Sequence, residues 1–228
     1  MRKGADLSAV TFDENTAMYD TAQIQSLVDE GKASGQLLAL VRDIDRVAAQ
    51  LLRLDDLNIP VLWEPLPQAG ASLYWWGSDA EQYKKLYRLI YERFTDYYRL
   101  HNLIWVWSGE DTDYFPGDRF TDIVGMSYMD GSRDTDVRQK SRFDYTDKFG
   151  GRLKPAMLTN VTRVPNPDIF FRDKDMWCIA VLAGGNYMVD LSGELNGAVG
   201  TDDDLEYFYN SRLTTVLEEL KIYSADTQ

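Results

Sequence analysis

Apolar positions along this chain recur with two alternating periods. Leu37, Leu40, Val41, Ile44, Val47, Ala48 and Leu51 fall three or four residues apart, which predicts an amphipathic helix over about 36–57. Asn58-Ile59-Pro60 interrupts that pattern, and Val61–Leu66 then reads as a buried strand. Tyr83, Leu86, Tyr87, Ile90 and Phe94 predict a second helix over about 79–99. Short apolar runs follow at Leu103–Trp107, Asp122–Ser127, Pro155–Thr159 and Cys178–Leu182, each suited to an interior strand. A helix over about 203–210 and a hydrophobic tail at Leu213–Leu220 close the pattern. Strands alternating with helices predict a parallel α/β fold rather than a sandwich. A closed (β/α)8 barrel needs eight strands and about 250 residues. With five strand-like runs in 228 residues, the expectation is a partial (β/α)8 barrel, with about five parallel strands and helices outside. No internal repeat or low-complexity linker divides it. The chain therefore reads as one domain over 1–228, with 1–35 as an N-terminal loop or arm and 36–220 as the partial barrel.

Composition narrows the partners. Hydrophobic residues make up 44% and aromatics 13% of the chain, too many for a disordered acidic segment. A net charge of −13 argues against nucleic acid and anionic membrane surfaces, which need a basic face. A neutral polysaccharide is compatible with that charge. No apolar run approaches the roughly 20 residues that span a bilayer. Met1-Arg2-Lys3-Gly4 leads into polar sequence without a leader-peptide pattern. The single cysteine, Cys178, permits no internal disulfide and lies in the run Trp177–Leu182, where a buried, inert thiol is expected.

The chemistry-bearing stretch is Pro60-Val61-Leu62-Trp63-Glu64-Pro65-Leu66-Pro67-Gln68, running on to Tyr74-Trp75-Trp76-Gly77. An apolar strand opening into a loop with three adjacent aromatics suits a sugar-binding cleft, because aromatic faces match the apolar faces of pyranose rings. The same stretch resembles the acid/base strand of glycoside hydrolase family 26, the β-mannanases, whose pattern is V-L-W/F-R-P-L-H-E followed by W-F-W-W-G. Glu81–Tyr91 resembles the helix that follows that loop. His101-Asn102-Leu103-Ile104-Trp105-Val106-Trp107 resembles the family's N-L-I-W-V-W strand. Tyr114-Phe115-Pro116-Gly117-Asp118 with Asp122-Ile123-Val124-Gly125 resembles its Y-P-G-D…D-I-V-G segment. The resemblance covers about residues 36–220 and makes Val61–Leu66 the fourth strand of a TIM-type barrel. Strands one to three have no counterpart. The uncovered sheet edge then calls for a partner chain or a second copy, or else marks the chain as a fragment.

A retaining glycosidase needs two carboxyl groups about 5–5.5 Å apart, one as acid/base and one as nucleophile. The resemblance places the acid/base at Gln68 and the nucleophile, after its L-T/S motif, at Asn160. Both are neutral amides, able to hydrogen-bond but without an acidic proton or a nucleophilic carboxylate. The family's Arg is Glu64 here and its His is Pro67. Its D-x-Y at the end of the sixth strand becomes Ser127 and Met129 on an ungapped count, with Tyr128 one position away. Its eighth-strand Trp falls in Ala180–Gly185, which has no aromatic.

The resemblance thus implies a mannanase-like domain without turnover. Binding of β-mannan or a related glycan would rest on Tyr74, Trp75, Trp76, Gln68, Asn160, Ser127 and Tyr128, outside the cell or in the periplasm. The alternatives are an active endo-β-1,4-mannanase and a non-enzymatic subunit or decayed fragment docking through its open sheet.

Other carboxylates offer little replacement. An extended strand at about 3.3 Å per residue would leave Glu64 roughly 13 Å from Gln68, below the reach of substrate. Glu110, Asp111 and Asp113 follow the fifth strand of the barrel and Asp130 the sixth, without a matched pair. Trp105 and Trp107 share strand parity and suit the core, and Trp177 opens a strand in a structural role. His101 is the only histidine and precedes its strand, at the end away from the site, so no histidine-centred metal or triad is expected. Asp202-Asp203-Asp204 matches no calcium loop and suits a helix N-terminus. Asn160-Val161-Thr162 is formally a glycosylation sequon, and Gly184-Gly185 lacks the GK[ST] of a phosphate loop. No cofactor or metal is implied.

Overall fold

The computed structural model describes residues 15–71, 74–109, 111–128, 140–146, 149, 154–184, 189, 192–194, 200–216 and 219. Five strands form a sheet in which the spatial order follows the chain order. These are β1 (Val61–Trp63), β2 (Leu103–Ser108), β3 (Ile123–Tyr128), β4 (Ala156–Val161) and β5 (Trp177–Leu182). The described pairings, β1 with β2, β2 with β3 and β4 with β5, are all parallel. Helices α1 (Thr21–Asp29) and α2 (Gly35–Asp55) precede β1, α3 (Ala80–Glu92) joins β1 to β2, α4 (Lys140–Thr146) lies between β3 and β4, α5 (Pro167–Asp173) between β4 and β5, and α6 (Asp202–Asn210) follows β5. This is the repeating unit of a (β/α)8 barrel, as the periodicity predicts. The chain divides into two compact units, the first running to Gly125 and including Phe149, Lys154 and Pro155, the second formed by the remainder.

In the first unit, α2 buries Leu37, Leu38, Val41, Ile44, Ala48 and Leu51, while Val47 turns outward at 39% exposure. The N-terminal arm is more ordered than expected, since residues 21–29 form α1. Asp20 and Gln23 close a reciprocal capping box at its start, each side chain accepting from the other's backbone N–H. Strand β1 is shorter than Val61–Leu66 suggested. Pro65 and Pro67 have no N–H to give a ladder, so pairing stops at Trp63.

The second predicted helix ends as an α-helix at Glu92 and continues through Arg93–Tyr97 with wider π-type turns. The reason lies at Arg93, which is fully buried. Its guanidinium donates to both Asp45 carboxylate oxygens, to Ala17 O and Tyr19 O at 2.9 Å each, and lies 4.5 Å from the Tyr97 ring centroid. The widened turn delivers this cation to the junction of α2, α3 and the chain before α1. Trp105 and Trp107 are buried as expected, Trp105 against Tyr87, Tyr91 and Phe94, and Trp107 against Phe115 and Phe149. His101 is exposed.

In the second unit, Leu158 and Val161 of β4 form a buried cluster with Phe170, Trp177, Ala180 and Leu182. Register irregularities fall at Ala156/Met157 and Leu158/Val161. Cys178 departs from its expected burial. It is exposed on β5, the last strand in the sheet order, although its thiol donates to Ala156 O at 2.9 Å. Partial burial of the sulfur raises its pKa, so it stays a thiol. Asp204 closes a capping box with Thr201 at the start of α6. After α6 the expected hydrophobic tail begins as a turn with Leu213 at 45% exposure, and residues 217, 218 and 220 lie outside the described residues.

Candidate functional site

In the first unit, the candidate residues lie on the loop leaving β1. With two prolines removing donors, the backbone from Glu64 onward abandons the extended form. Gln68 takes a left-handed conformation, with φ of 56°, and Gly70 follows at 83°. Two hydrogen bonds, one of them part of an isolated bridge, tie this turn to the end of β2. The Gln68 N–H donates to Ser108 Oγ at 3.1 Å, the Ala69 N–H to Ser108 O at 2.9 Å, and Ala69 forms an isolated parallel bridge with Gly109. The Ser108 hydroxyl in turn donates to Glu64 Oε1.

That chain brings the Glu64 carboxylate nearer to the Gln68 turn than an extended strand would. A straight strand would separate it from Gln68 by roughly 13 Å. In the folded chain a single serine hydroxyl joins the Glu64 carboxylate to the Gln68 backbone. The Gln68 side chain is largely buried, at 9% exposure for the residue.

The three aromatics of the following loop have distinct positions. Tyr74 stacks on Trp76 with ring centroids 4.5 Å apart and planes within 8°, while Trp75 meets Trp76 edge-on at 5.6 Å. Trp76 Nε1–H donates to Pro67 O at 3.0 Å, tying the stack to the residue beside Gln68. Tyr74 is 41% exposed, and the two tryptophans are half-buried. Gly77 ends the loop where a Cβ would lie 2.3 Å from Ala71 O, so backbone meets backbone with no space for a side chain.

Buried phenols support the loop from below. Tyr83 OH donates to Leu66 O at 3.0 Å and Tyr114 OH to Gly77 O at 2.8 Å, and their rings meet edge-on at 5.5 Å. Burial, followed by the nearby Tyr87 and Glu64, pushes the Tyr83 phenol well above its ordinary pKa. Burial and then Asp111 raise Tyr114. Both hydroxyls therefore remain donors throughout the ordinary pH range.

In the second unit, the candidate residues lie on β4 and β3. Asn160 is half-buried near the end of β4. Leu158 pairs with Ala180 and Val161 with Leu182, so β4 holds one residue more than β5 across this interval. Asn160 and Thr159 occupy the resulting bulge, a device that re-aims side chains near the ends of strands. Ser127 is half-buried at the end of β3, and its backbone carbonyl accepts from Arg142 at 3.0 Å. The Tyr128 side chain, Met129, Glu110, Asp130 and Gly185 lie outside the described residues.

Of the other candidate carboxylates, Asp111 is an exposed helix cap, accepting from Asp113 N at 2.9 Å, and Asp113 is exposed on the same turn. Sequence reasoning missed Ser108 and the phenol supports. Ser108 had one signal, since it sits at the C-terminal end of a parallel strand, where barrel sites are built.

The sequence profile of glycosyl hydrolase family 26 matches residues 7–198 of the chain. The mannan endo-1,4-beta-mannosidase of Thermothelomyces thermophilus is 30% identical over 205 residues, covering 89% of this chain and 40% of that protein. Mannan endo-1,4-beta-mannosidase A of Piromyces sp is 28% identical over 210 residues, covering 91% and 32%. Among solved structures, the Podospora anserina GH26-CBM35 beta-(1,4)-mannanase superposes with a TM-score of 0.71 at 28% identity, over 89% of this chain and 43% of that one. A beta-mannanase from a symbiotic protist of the termite Reticulitermes speratus shares the fold, with a TM-score of 0.71 at 24% identity over 95% and 62%. The chain thus spans about a third to two-fifths of the length of the curated relatives. With the profile matched over most of its length and the parallel β/α order shared with these structures, the chain belongs to glycosyl hydrolase family 26.

Proposed function

We infer that this domain binds β-mannan or a related glycan without hydrolysing it. The observation that supports this reading is the pair of neutral amides, Gln68 and Asn160, at the positions where the family resemblance calls for carboxyl groups. An amide offers both donor and acceptor to sugar hydroxyls, yet it cannot protonate a leaving oxygen or attack an anomeric carbon. The aromatic loop supplies the complementary half of a sugar site. Trp76 covers one face of Tyr74, so in this reading the exposed Tyr74 ring is the plate for a pyranose, and Trp76 backs it. The relatives' names make mannan the polymer to test first. A polymeric glycan lies outside the cell, which is where this reading locates the protein. No described helix is long and apolar enough to cross a membrane.

Titration with mannohexaose, followed by tryptophan fluorescence, tests the binding. Saturable change at up to millimolar ligand is expected, weakened about tenfold in Tyr74→Ala by loss of one ring contact. A flat titration would remove the reading. In parallel, the wild-type chain should release no reducing sugar from galactomannan. The double variant Gln68→Glu/Asn160→Glu tests whether carboxyl groups at these two positions suffice for turnover.

A second reading, an active endo-β-1,4-mannanase, gains one specific support, namely the Glu64 carboxylate placed next to the Gln68 turn through Ser108. Release of reducing sugar by wild type, abolished in Glu64→Gln, would favour it over the first.

A further inference from the structure

We propose that Glu64 is a positioning residue that holds Gln68 in its left-handed geometry by fixing the polarity of Ser108. This deepens the glycan-binding reading, since Gln68 is the amide that reading assigns to the ligand. Gln68 is a non-glycine residue at positive φ, in a conformation L-residues avoid because Cβ crowds the following carbonyl. Such strain persists where surrounding structure over-determines it, and it concentrates at functional positions.

The Gln68 N–H donates to a side-chain oxygen 40 residues away in the chain, and the Gln68 carbonyl accepts from Ala71 N–H at 3.0 Å. A serine hydroxyl has one proton and two lone pairs. The Ser108 hydroxyl donates its one proton to a Glu64 oxygen, which leaves its lone pairs to face the Gln68 N–H. Ser108 is fully buried, which keeps water from competing for either bond. The same serine's carbonyl accepts from Ala69, so one residue fixes two successive peptide groups of the turn.

Amide hydrogen exchange by NMR at Gln68 and Ala69 tests this directly and needs no glycan. Wild-type Gln68 should be protected. Glu64→Ala and Ser108→Ala should each accelerate its exchange about tenfold or more, the scale of one lost buried hydrogen bond. Glu64→Gln should keep the protection, because its amide oxygen still accepts from Ser108. The Leu66 and Gly77 carbonyl anchors are untouched by these variants, so a far-UV spectrum and melting midpoint near wild type identify chains that are folded. Equal protection of Gln68 in wild type and Glu64→Ala would overturn the proposal, as would loss of protection in Glu64→Gln. Mannohexaose titration of the same set is read separately. If exchange follows the expected order while no variant and no wild type binds sugar, the positioning role stands and the glycan reading falls.

Discussion

Asp175 shows how much a single side chain can decide. It precedes β5, is 2% exposed, and neither carboxylate oxygen has a hydrogen-bond partner among the described residues. Burial raises its pKa, Lys140 opposes that shift, and Asp173 and Asp144 add to it. A carboxyl group whose folded pKa lies above its unfolded value contributes most stability below the unfolded pKa, and loses it as pH rises through the folded pKa. Asp175 therefore destabilises the native chain at neutral pH relative to about pH 4. Asp175→Asn should remove that dependence and raise the melting midpoint at pH 7 by about 3 °C, for a gain near 1 kcal/mol. Calorimetry of both proteins at the two pH values checks it, and a lower midpoint for the variant at pH 7 would refute it. Gly77 makes the opposite case. With Ala71 O only 2.3 Å from where a Cβ would stand, Gly77→Ala must displace backbone, and a loss of about 2 kcal/mol is expected in urea denaturation. Gln68 and Asn160 enter consideration only through the motifs that flank them. Ser108 does not enter that way, because its partnership with Gln68 depends on a turn whose φ no local pattern announces.

Among the elements, long periodic segments were read well and short ones poorly. α2 and α3 bury whole apolar stripes, so their spacing in the sequence is itself the packing surface. α4 and α5 have seven residues each, too few for a helical period to emerge from composition. α1 left a different trace, the Asp20/Gln23 capping pair, which outranks its weak hydrophobic pattern. The strands fall where the apolar runs predict, yet β1 is shorter than Val61–Leu66 because that run includes Pro65. The π-type turn after α3 yields the clearest prediction here. Arg93→Ala would leave Asp45, Ala17 O and Tyr19 O without their buried donor, and removing one partner of a buried pair costs about 3–5 kcal/mol. A fall of about 10 °C in melting midpoint is expected, with α1 amides exchanging faster than those of β2. A fall of only 1–2 °C would show that this cation is not what fixes the junction.

For the molecule as a whole, charge and fold point to different things. The net charge of −13 speaks to solubility and to which partners are repelled, while the parallel β/α order speaks to ancestry. Neither alone names a ligand. A neutral sugar held by aromatic and amide contacts releases no counterions, so mannohexaose affinity should stay within about twofold between roughly 0.05 M and 0.5 M salt. A steep fall in affinity with salt would implicate a charged ligand instead.

The extra residue in β4 has a consequence of another kind. Leu158 and Val161 share one apolar cluster although they stand three apart, whereas a regular strand brings residues two apart onto the same face. The offset does not stand alone, because at Ala156/Met157 the extra residue lies on the β5 side. The two shifts cancel, so Ala156 faces Trp177 at one end, Val161 faces Leu182 at the other, and the strands finish in step. Only Met157 to Asn160 run out of register with their neighbours. Deleting Thr159, which is buried, would leave the first shift unanswered, and a clear fall in the melting midpoint is expected by calorimetry. The position of Asn160 is thus tied to a local phase error that the sheet corrects within one strand.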